Sequence, residues 1–215
     1  MKYSNIIFDL DGTLLDTLKD ICSSVNSSLE HFGFPTITLE QCRHYVGNAT
    51  DHLFRCALGE NADGETMKKV IDYYLPYYRS HSSIETQPYE GITELLQELK
   101  KAGCALALVS NKPDPIVKKL AEQYFPGIFS AVIGQSDTLA KKPAPDTVFE
   151  AMKIMGAGCE SSVYIGDSEV DIITSKNAGI PCLSVTWGFR TEEELLASGA
   201  ETTAANTGEL LNLLT

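Results

Sequence analysis

From residue 91 onward the chain alternates short apolar runs with amphipathic helical stripes, and that alternation restricts it to a parallel sheet covered by helices on both faces. Ile92, Leu95, Leu96 and Leu99 share one helical face, Gly103 closes that helix, and Cys104–Val109 follows as a continuous apolar strand. The same rhythm predicts a helix over Pro113–Tyr124, a strand over Ala131–Ile133 and a helix over Asp146–Met155. It then predicts a strand over Ser162–Ile165, a helix over Glu169–Ala178 stopped by Gly179, and a strand over Cys182–Val185. Helices over Thr191–Ala197 and Thr207–Leu214 complete the chain.

The amino-terminal part follows another pattern. Tyr3–Phe8 is a β-branched and aromatic run ending at Asp9 and reads as a buried strand. From Thr17 to Phe32 the period changes, with Ile21, Val25, Leu29 and Phe32 on one helical face and Gly33 at its end. Leu39–Val46 and Thr50–Leu58 read as shorter helices. Asp63 caps a longer one carrying Met67, Val70, Ile71, Tyr74, Leu75 and Tyr78 on one stripe, with Pro76 expected to kink it near its end. No strand pattern occurs between about 17 and 80. The expected architecture is α/β: a doubly wound parallel sheet from residues 1–16 and 88–215, with an all-helical unit over 17–87 inserted after the first strand.

Composition narrows the function classes. The 215 residues are 43% hydrophobic and 21% charged, which describes a globular chain rather than a disordered one. No apolar stretch reaches bilayer length, and Met1–Asn5 leads straight into the first strand without the apolar centre of a secretion signal, so a cytoplasmic location is expected. The six cysteines form no C-x-x-C pair and read as free thiols. A net charge of −12, from 17 basic and 29 acidic residues with no basic cluster, speaks against nucleic acid or an anionic membrane as partner. Any phosphate chemistry here needs positive charge supplied locally, by a metal ion or a few placed cations.

Four polar segments follow predicted strands or their loops: Asp9-Leu10-Asp11-Gly12-Thr13, Ser110-Asn111-Lys112, Lys141-Lys142-Pro143, and Gly166-Asp167-Ser168-Glu169-Val170-Asp171. In open α/β sheets ligands bind outside the carboxyl ends of the strands, so parallel strands would bring the four together. Each segment alone has a plainer reading. Asp-Gly after an apolar run also marks a hairpin turn, acids at a helix start also complement its dipole, Lys142 alone reads as a solvated lysine, and Ser110 as a strand terminator. Together, Asp9, the Asp11 carbonyl, Asp167 and Asp171 form an oxygen-only donor set suited to Mg²⁺. Ser110 and Lys142 can meet phosphoryl oxygens. There is no G-x-x-x-x-G-K-[ST], G-x-S-x-G or H-E-x-x-H element.

In this order the four segments resemble the haloacid dehalogenase-like hydrolase superfamily, over nearly the whole chain. The helical insertion stands where the first subclass of that superfamily carries its cap. Val109–Pro113, Lys142–Pro145 and Val185–Arg190 look most like the phosphoglycolate phosphatase branch, and Asp51 departs from it by placing an acid where the cap is expected to meet substrate. The resemblance implies that Asp9 attacks phosphorus and forms an aspartyl phosphate, and that Asp11 protonates the leaving oxygen and then activates water. It implies Mg²⁺ held by Asp9, the Asp11 carbonyl and Asp167, with Asp171 a direct or water-mediated ligand, and Ser110 and Lys142 stabilising the transferring group. The expected charge is −4 from the four aspartates against +3 from Mg²⁺ and Lys142. An acid at Asp11 favours phosphoester chemistry over dehalogenation, since halide leaves without a proton.

The expected reaction is thus Mg²⁺-dependent hydrolysis of a small phosphorylated metabolite such as 2-phosphoglycolate. A phosphosugar mutase or pyrophosphatase on the same core, or a Mg²⁺-binding signalling module phosphorylated on Asp9, stand as alternatives. Thr13, Asn111, Lys112, Arg43 and His44 are the expected substrate-binding residues, with Asn48, His52 and Arg55 as further cap candidates, and the protein is expected as monomer or homodimer. Hinges are expected near Asp16–Thr17 and Gln87–Gly91.

Overall fold

The computed structural model describes all of residues 1–215. Its main sheet has six strands: β1 (Asn5–Phe8), β4 (Ala105–Pro113), β5 (Ala131–Gln135), β6 (Ser162–Gly166), β7 (Cys182–Val185) and β8 (Thr203–Ala204), in the order β5-β4-β1-β6-β7-β8. Every neighbouring pair is parallel. The chain winds from β1 toward β5 on one side and then returns to β6 beside β1, so the winding reverses at β1 and opens a crevice at its carboxyl end.

Side chains alternate across this sheet as a period of two requires. Ile6, Phe8, Leu106, Leu108, Val163 and Ile165 enter one core cluster, whereas Ile7, Ala107, Val109 and Tyr164 enter a second on the opposite face. The second is covered by α7 (Asp146–Met155) and α8 (Glu169–Ala178) through Val148, Ala151, Met152 and Ala178. The first takes in α5 (Ile92–Lys101), α6 (Asp114–Tyr124) and α10 (Thr207–Leu214), while α9 (Glu192–Ala197) buries Leu195 outside both clusters.

Between β1 and β4 lie α1 (Leu18–His31), α2 (Leu39–Tyr45), α3 (Ala49–Leu58) and α4 (Gly64–His81). Two caps match the expected starts: Thr38 makes a reciprocal capping box with Gln41, and the Asp63 carboxylate accepts from the amides of Glu65 and Thr66. Pro76 does not end α4, which runs on to His81. The first core cluster is continuous from the sheet through Leu10, Leu14 and Leu15 into Ile21, Val25, Phe54, Val70 and Tyr74 of these helices.

Three features depart from the expected pattern. Leu15–Asp16 (β2) and Gln87–Pro88 (β3) pair antiparallel as two-residue strands, so the chain enters and leaves the helical block side by side at the expected hinges. Strand β4 carries on through Ser110-Asn111-Lys112 to Pro113, with its register to β5 shifting between Val109 and Pro113, and α6 begins at Asp114. The short β8 was not anticipated.

Candidate active site

Asp9 follows β1 directly, and its amide extends the ladder by donating to Ile165 O at 2.9 Å. The chain then turns sharply: Leu10 O accepts from the amides of Thr13, Leu14 and Leu15. Gly12 makes that turn at φ +82°, and a Cβ there would lie 2.1 Å from Asp167 Oδ2. Glycine is thus required twice, by backbone conformation and by the approach of the acid from β6.

Asp167 stands where β6 ends and is fully buried. Its Oδ1 accepts from Thr13 Oγ1 at 2.9 Å and its Oδ2 from the Phe189 amide at 2.7 Å. Burial pushes its pKa well above the usual carboxylate range, with the Asp171 and Asp9 charges adding to the effect. Asp9 is also raised by burial, against the pull of Lys142 and with further push from Asp171 and Asp11, to about 7.

Lys142 is 3% exposed and points inward from the loop between β5 and α7. It donates to Asp171 Oδ1 at 2.7 Å and Tyr164 Oη at 3.0 Å, and its ammonium stands 3.0 Å from Asp9 Oδ1 in ion-pair contact. Burial works against its charge, but Asp171 and Asp9 overcome that and hold it well above the ordinary lysine range. Asp171 is saturated: Oδ1 accepts from Lys142 and Tyr164, and Oδ2 from the Ser168 amide at 3.1 Å and Ser168 Oγ at 2.6 Å.

Asp11 faces a different way. Its Oδ1 accepts from Thr17 Oγ1 at 2.6 Å, at the mouth of the helical block, and from Lys112 Nζ. Lys112, itself buried, also donates to Tyr78 Oη on α4 at 2.6 Å. The expectation of one compensating lysine is therefore corrected: two buried lysines, 112 and 142, face the four aspartates, leaving a formal −2.

The residues fit a hard divalent cation such as Mg²⁺ on their own chemistry. Asp9, Asp167 and Asp171 each offer an oxygen, all within 4.8 Å of one another, and buried Asp9 Oδ1 faces the Lys142 ammonium and no other protein donor. One such ion carries the charge the two lysines leave unbalanced. Each Asp171 oxygen accepts from two protein donors and each Asp167 oxygen from only one, so Asp9 and Asp167 are the better-placed pair, with Asp171 behind them.

A cavity opens over this cluster. Asp9, Asp11, Ser110, Asn111, Lys112, Lys142 and Asp167 line its floor, and Val46, Gly47, Ala49, Thr50, Leu53, Tyr74 and Tyr78 of the helical block line its roof. The fold brings together most of the expected residues, but not all in the expected roles. Thr13 lies outside the lining and is occupied with Asp167. Asn111 lines the cavity, but its amide is committed to both backbone groups of Lys142 and to Gly47 O at 3.0 Å. Arg43 and His44 do not line the cavity, and α2 places them at its rim. Arg43 Nε donates to Phe189 O at 2.5 Å, and His44 bonds back to Glu40 O and sits 3.7 Å from Glu194. Asn48, His52 and Arg55 are likewise outside, and Asp51 pairs with Lys141 at 2.6 Å. Tyr78, Tyr164, Thr17 and Phe189 were not assigned to the site from the sequence: Tyr78 reads there as a core residue of its helical stripe, Thr17 as part of a hinge, Phe189 as part of the Val185–Arg190 segment, and Tyr164 only as a strand residue.

The comparisons agree with this geometry. Residues 6–185 match the family model described as haloacid dehalogenase-like hydrolase. The phosphoglycolate phosphatase of Pseudomonas syringae pv. tomato is 35% identical over 190 residues, covering 86% of this chain and 70% of that protein. The phosphoglycolate phosphatase of Xanthomonas campestris pv. campestris is 33% identical over 186 residues, covering 86% and 84%. Among solved structures, a Lactobacillus delbrueckii subsp. bulgaricus protein provisionally named a phosphoglycolate phosphatase superposes with a TM-score of 0.94 at 33% identity, covering 100% of this chain and 99% of that one. With the acid cluster at the crossover of its parallel sheet, the chain belongs to the haloacid dehalogenase-like hydrolase family, as one of its phosphoric monoester hydrolases.

Proposed function

We propose that this protein is a Mg²⁺-dependent phosphatase acting on a small phosphorylated carboxylic acid, best matched by 2-phosphoglycolate, through an aspartyl-phosphate intermediate on Asp9. The observation that carries the reading is the Asp9 carboxylate, buried at the cavity floor with a lysine ammonium 3.0 Å from Oδ1 and the Asp167 carboxylate beside it.

Asp9, Asp167 and the Asp11 carbonyl, with Asp171 in support, would hold Mg²⁺, which when bound would supply positive charge for the phosphoryl oxygens and keep Asp9 ionised. An Asp9 oxygen attacks phosphorus as the bond to the leaving oxygen breaks, and Asp11 delivers a proton to that oxygen. The hydrogen bonds of Asp11 converge on Oδ1, which leaves Oδ2 to carry the proton. Water then attacks the phosphorus, Asp11 takes a proton back, and Asp9 is released with free phosphate. Ser110 and Lys142 face the negative charge of the group in transfer. Lys112 uses two ammonium donors on Asp11 and Tyr78 and keeps a third for the substrate carboxylate. The helical block over residues 17–87 acts as a cap that excludes water, swinging on the paired strands β2 and β3.

The relatives named as phosphoglycolate phosphatases support the substrate class. The test is phosphate release from 2-phosphoglycolate, sugar phosphates and pyrophosphate, with Mg²⁺ or excess chelator, using Asp9→Asn as control. Release from 2-phosphoglycolate that needs Mg²⁺ and vanishes in Asp9→Asn is expected. Preference for pyrophosphate, or isomerised sugar phosphate in place of free phosphate, would move the reading to the alternatives, and equal activity in Asp9→Asn would sink it.

A further inference from the structure

Arg190 is a cation that neither the metal cluster nor the proposed phosphoryl chemistry uses. It follows β7 in the segment Trp187-Gly188-Phe189-Arg190 and is only 8% exposed. On one side its guanidinium is held by Glu169, with Nε to Oε2 at 2.9 Å and the terminal nitrogen Nη2 to Oε1 at 3.2 Å. On the other side it donates to three backbone carbonyls at the end of α2: Arg43 O at 2.9 Å, His44 O at 3.4 Å and Val46 O at 3.2 Å. A cation at the carboxyl end of a helix satisfies carbonyls that lack an intrahelical partner and complements the dipole. A planar fork of five donors can bridge two such groups where an ammonium cannot.

The segment preceding Arg190 is built into the metal cluster. The Phe189 amide donates to Asp167 Oδ2, and the Phe189 carbonyl accepts from Arg43 Nε at 2.5 Å. One peptide unit on either side of Phe189 therefore touches the acid at the end of β6 and the helix over the cavity. Trp187 Nε1 donates to Thr13 O at 3.0 Å, and Thr13 itself holds Asp167. Glu169, the anchor of the guanidinium, lies two residues after Asp167 at the start of α8.

We infer that Arg190 is a positioning residue that couples docking of α2 over the cavity to the placement of Asp167. With α2 docked, the guanidinium and the Phe189 peptide are fixed from both sides, and the Asp167 carboxylate is held in one orientation. With α2 undocked, Arg190 loses three acceptors and the Phe189 carbonyl loses Arg43, so the donor to Asp167 is no longer held in place. Docking of the cap and readiness of the cation site thus become one event. This also accounts for Arg43, which lies at the rim because it serves the same joint.

What the coupling does for turnover rests on the proposed phosphatase reading; its existence does not, and the experiment separates the two. Amide hydrogen exchange over residues 39–46, emission of Trp187, the single tryptophan, and kcat and KM for 2-phosphoglycolate are measured for the wild type, Arg190→Met, Arg190→Lys and Glu169→Gln. Arg190→Met is expected to speed exchange over 39–46 about tenfold or more, to shift Trp187 emission, and to lower kcat with KM little changed. Arg190→Lys is expected to restore only part of each. If Arg190→Met does not fold, Glu169→Gln decides, because it leaves the guanidinium in place without its charged anchor, and faster exchange over 39–46 is again expected. Unchanged exchange and emission in a folded Arg190→Met, or in Glu169→Gln where that variant decides, overturn the inference, as does a raised KM with unchanged exchange, which would mark a substrate ligand instead. A wild type inactive on every phosphoester would defeat the phosphatase reading while the exchange data still judge the coupling.

Discussion

Lys142 donates to Asp171 Oδ1 at 2.7 Å, and the same ammonium stands 3.0 Å from Asp9 Oδ1. Asp171 thus acts on the site chiefly by holding the lysine that faces the nucleophile. Removing it leaves a buried ammonium short of a partner.

Asp171→Ala is expected to destabilise the fold by about 3–5 kcal/mol, read as a lowered denaturation midpoint, and to depress kcat. Asp171→Asn keeps an acceptor and costs less. Because each Asp171 oxygen accepts from two protein donors and each Asp167 oxygen from one, Asp167→Asn should weaken Mg²⁺ binding more than Asp171→Asn does. Titration calorimetry checks the order, and the reverse order would mean that Asp171 releases Ser168 or Lys142 to bind the ion directly.

The acidity of Asp9 sets a pH dependence for the metal-free protein. Its folded value of about 7 lies above the ordinary 3.8, so the folded chain holds a proton that the unfolded chain has lost over that interval. Stability is therefore fully present below about 4 as far as this group is concerned, and is lost as pH rises toward 7. Asp167, raised by the same burial, acts in the same direction. The melting temperature in chelator should fall between pH 5 and pH 8, expected ends chosen to straddle about 7. Mg²⁺ should restore more stability at the upper end than at the lower, and Asp9→Asn should flatten the slope. A melting temperature that rises with pH in chelator would contradict this account.

The parts of the fold that could be read from sequence are those whose information is local. The alternation at Ile6, Ile7 and Phe8, the stripes of α5 and the cap at Asp63 follow from neighbours within a turn or a strand. Asp9, Ser110, Lys142 and Asp167 were legible because parallel strands carry their ends to one edge whatever the intervening lengths. Strands β2, β3 and β8 were not, since two residues carry no period. The contacts of Arg43 and His44 were not legible for another reason. Charge type at the end of α2 says that they meet something polar, but their partners Phe189 and Glu194 belong to the far end of the chain. Lys112 lines the cavity, yet its bond to Asp11 depends on β4 continuing past Val109, against the expectation of a strand end.

That bond gives a further prediction. Lys112 joins Asp11 to Tyr78 on α4, so it reports the presence of the helical block to the proposed acid and base. Lys112→Met should raise KM for an anionic substrate and lower kcat as well, because Asp11 loses a charged partner. Tyr78→Phe removes only the outer acceptor, costs about 1–3 kcal/mol of stability at most, and should leave KM closer to wild type. Asp11→Asn should lower kcat by roughly 10²–10⁴-fold. Steady-state kinetics on the three variants distinguish these effects, and an unchanged kcat in Asp11→Asn would remove it from the proton transfers.

Asp20 on α1 holds the segment leading into β3. Its carboxylate accepts from the amides of Ile84, Glu85 and Thr86 and from Thr86 Oγ1, at 2.8 to 3.1 Å. Asp20→Ala would leave these donors without a charged acceptor, at a cost of about 3 kcal/mol, equivalent to roughly 6–12 °C in Tm. Asp20→Asn should lose less. A calorimetric Tm within about 2 °C of wild type in Asp20→Ala would show that water replaces the carboxylate.

Gly188 tests whether the metal cluster depends on the segment behind it. A Cβ built there would lie 2.3 Å from Gly12 O, 2.4 Å from Asp167 Cβ and 2.5 Å from Asp167 Oδ2. Two of these neighbours are a backbone oxygen and the first carbon of a side chain, neither of which can swing away. Either the 187–190 segment retreats, withdrawing the Phe189 amide from Asp167, or the Asp167 carboxylate rotates and loses Thr13. Both outcomes disturb one of the two acids best placed for a cation, and of the hydrophobic clusters only Phe189, with Trp187 against it, lies in the segment that would move. Gly188→Ala is therefore expected to fold, to bind Mg²⁺ about tenfold or more weakly, on the scale seen when partners behind metal ligands are removed, and to lose activity that higher Mg²⁺ partly restores. Wild-type Mg²⁺ affinity in the folded variant would show that Asp167 tolerates displacement, and that the segment behind it does not govern the cation site.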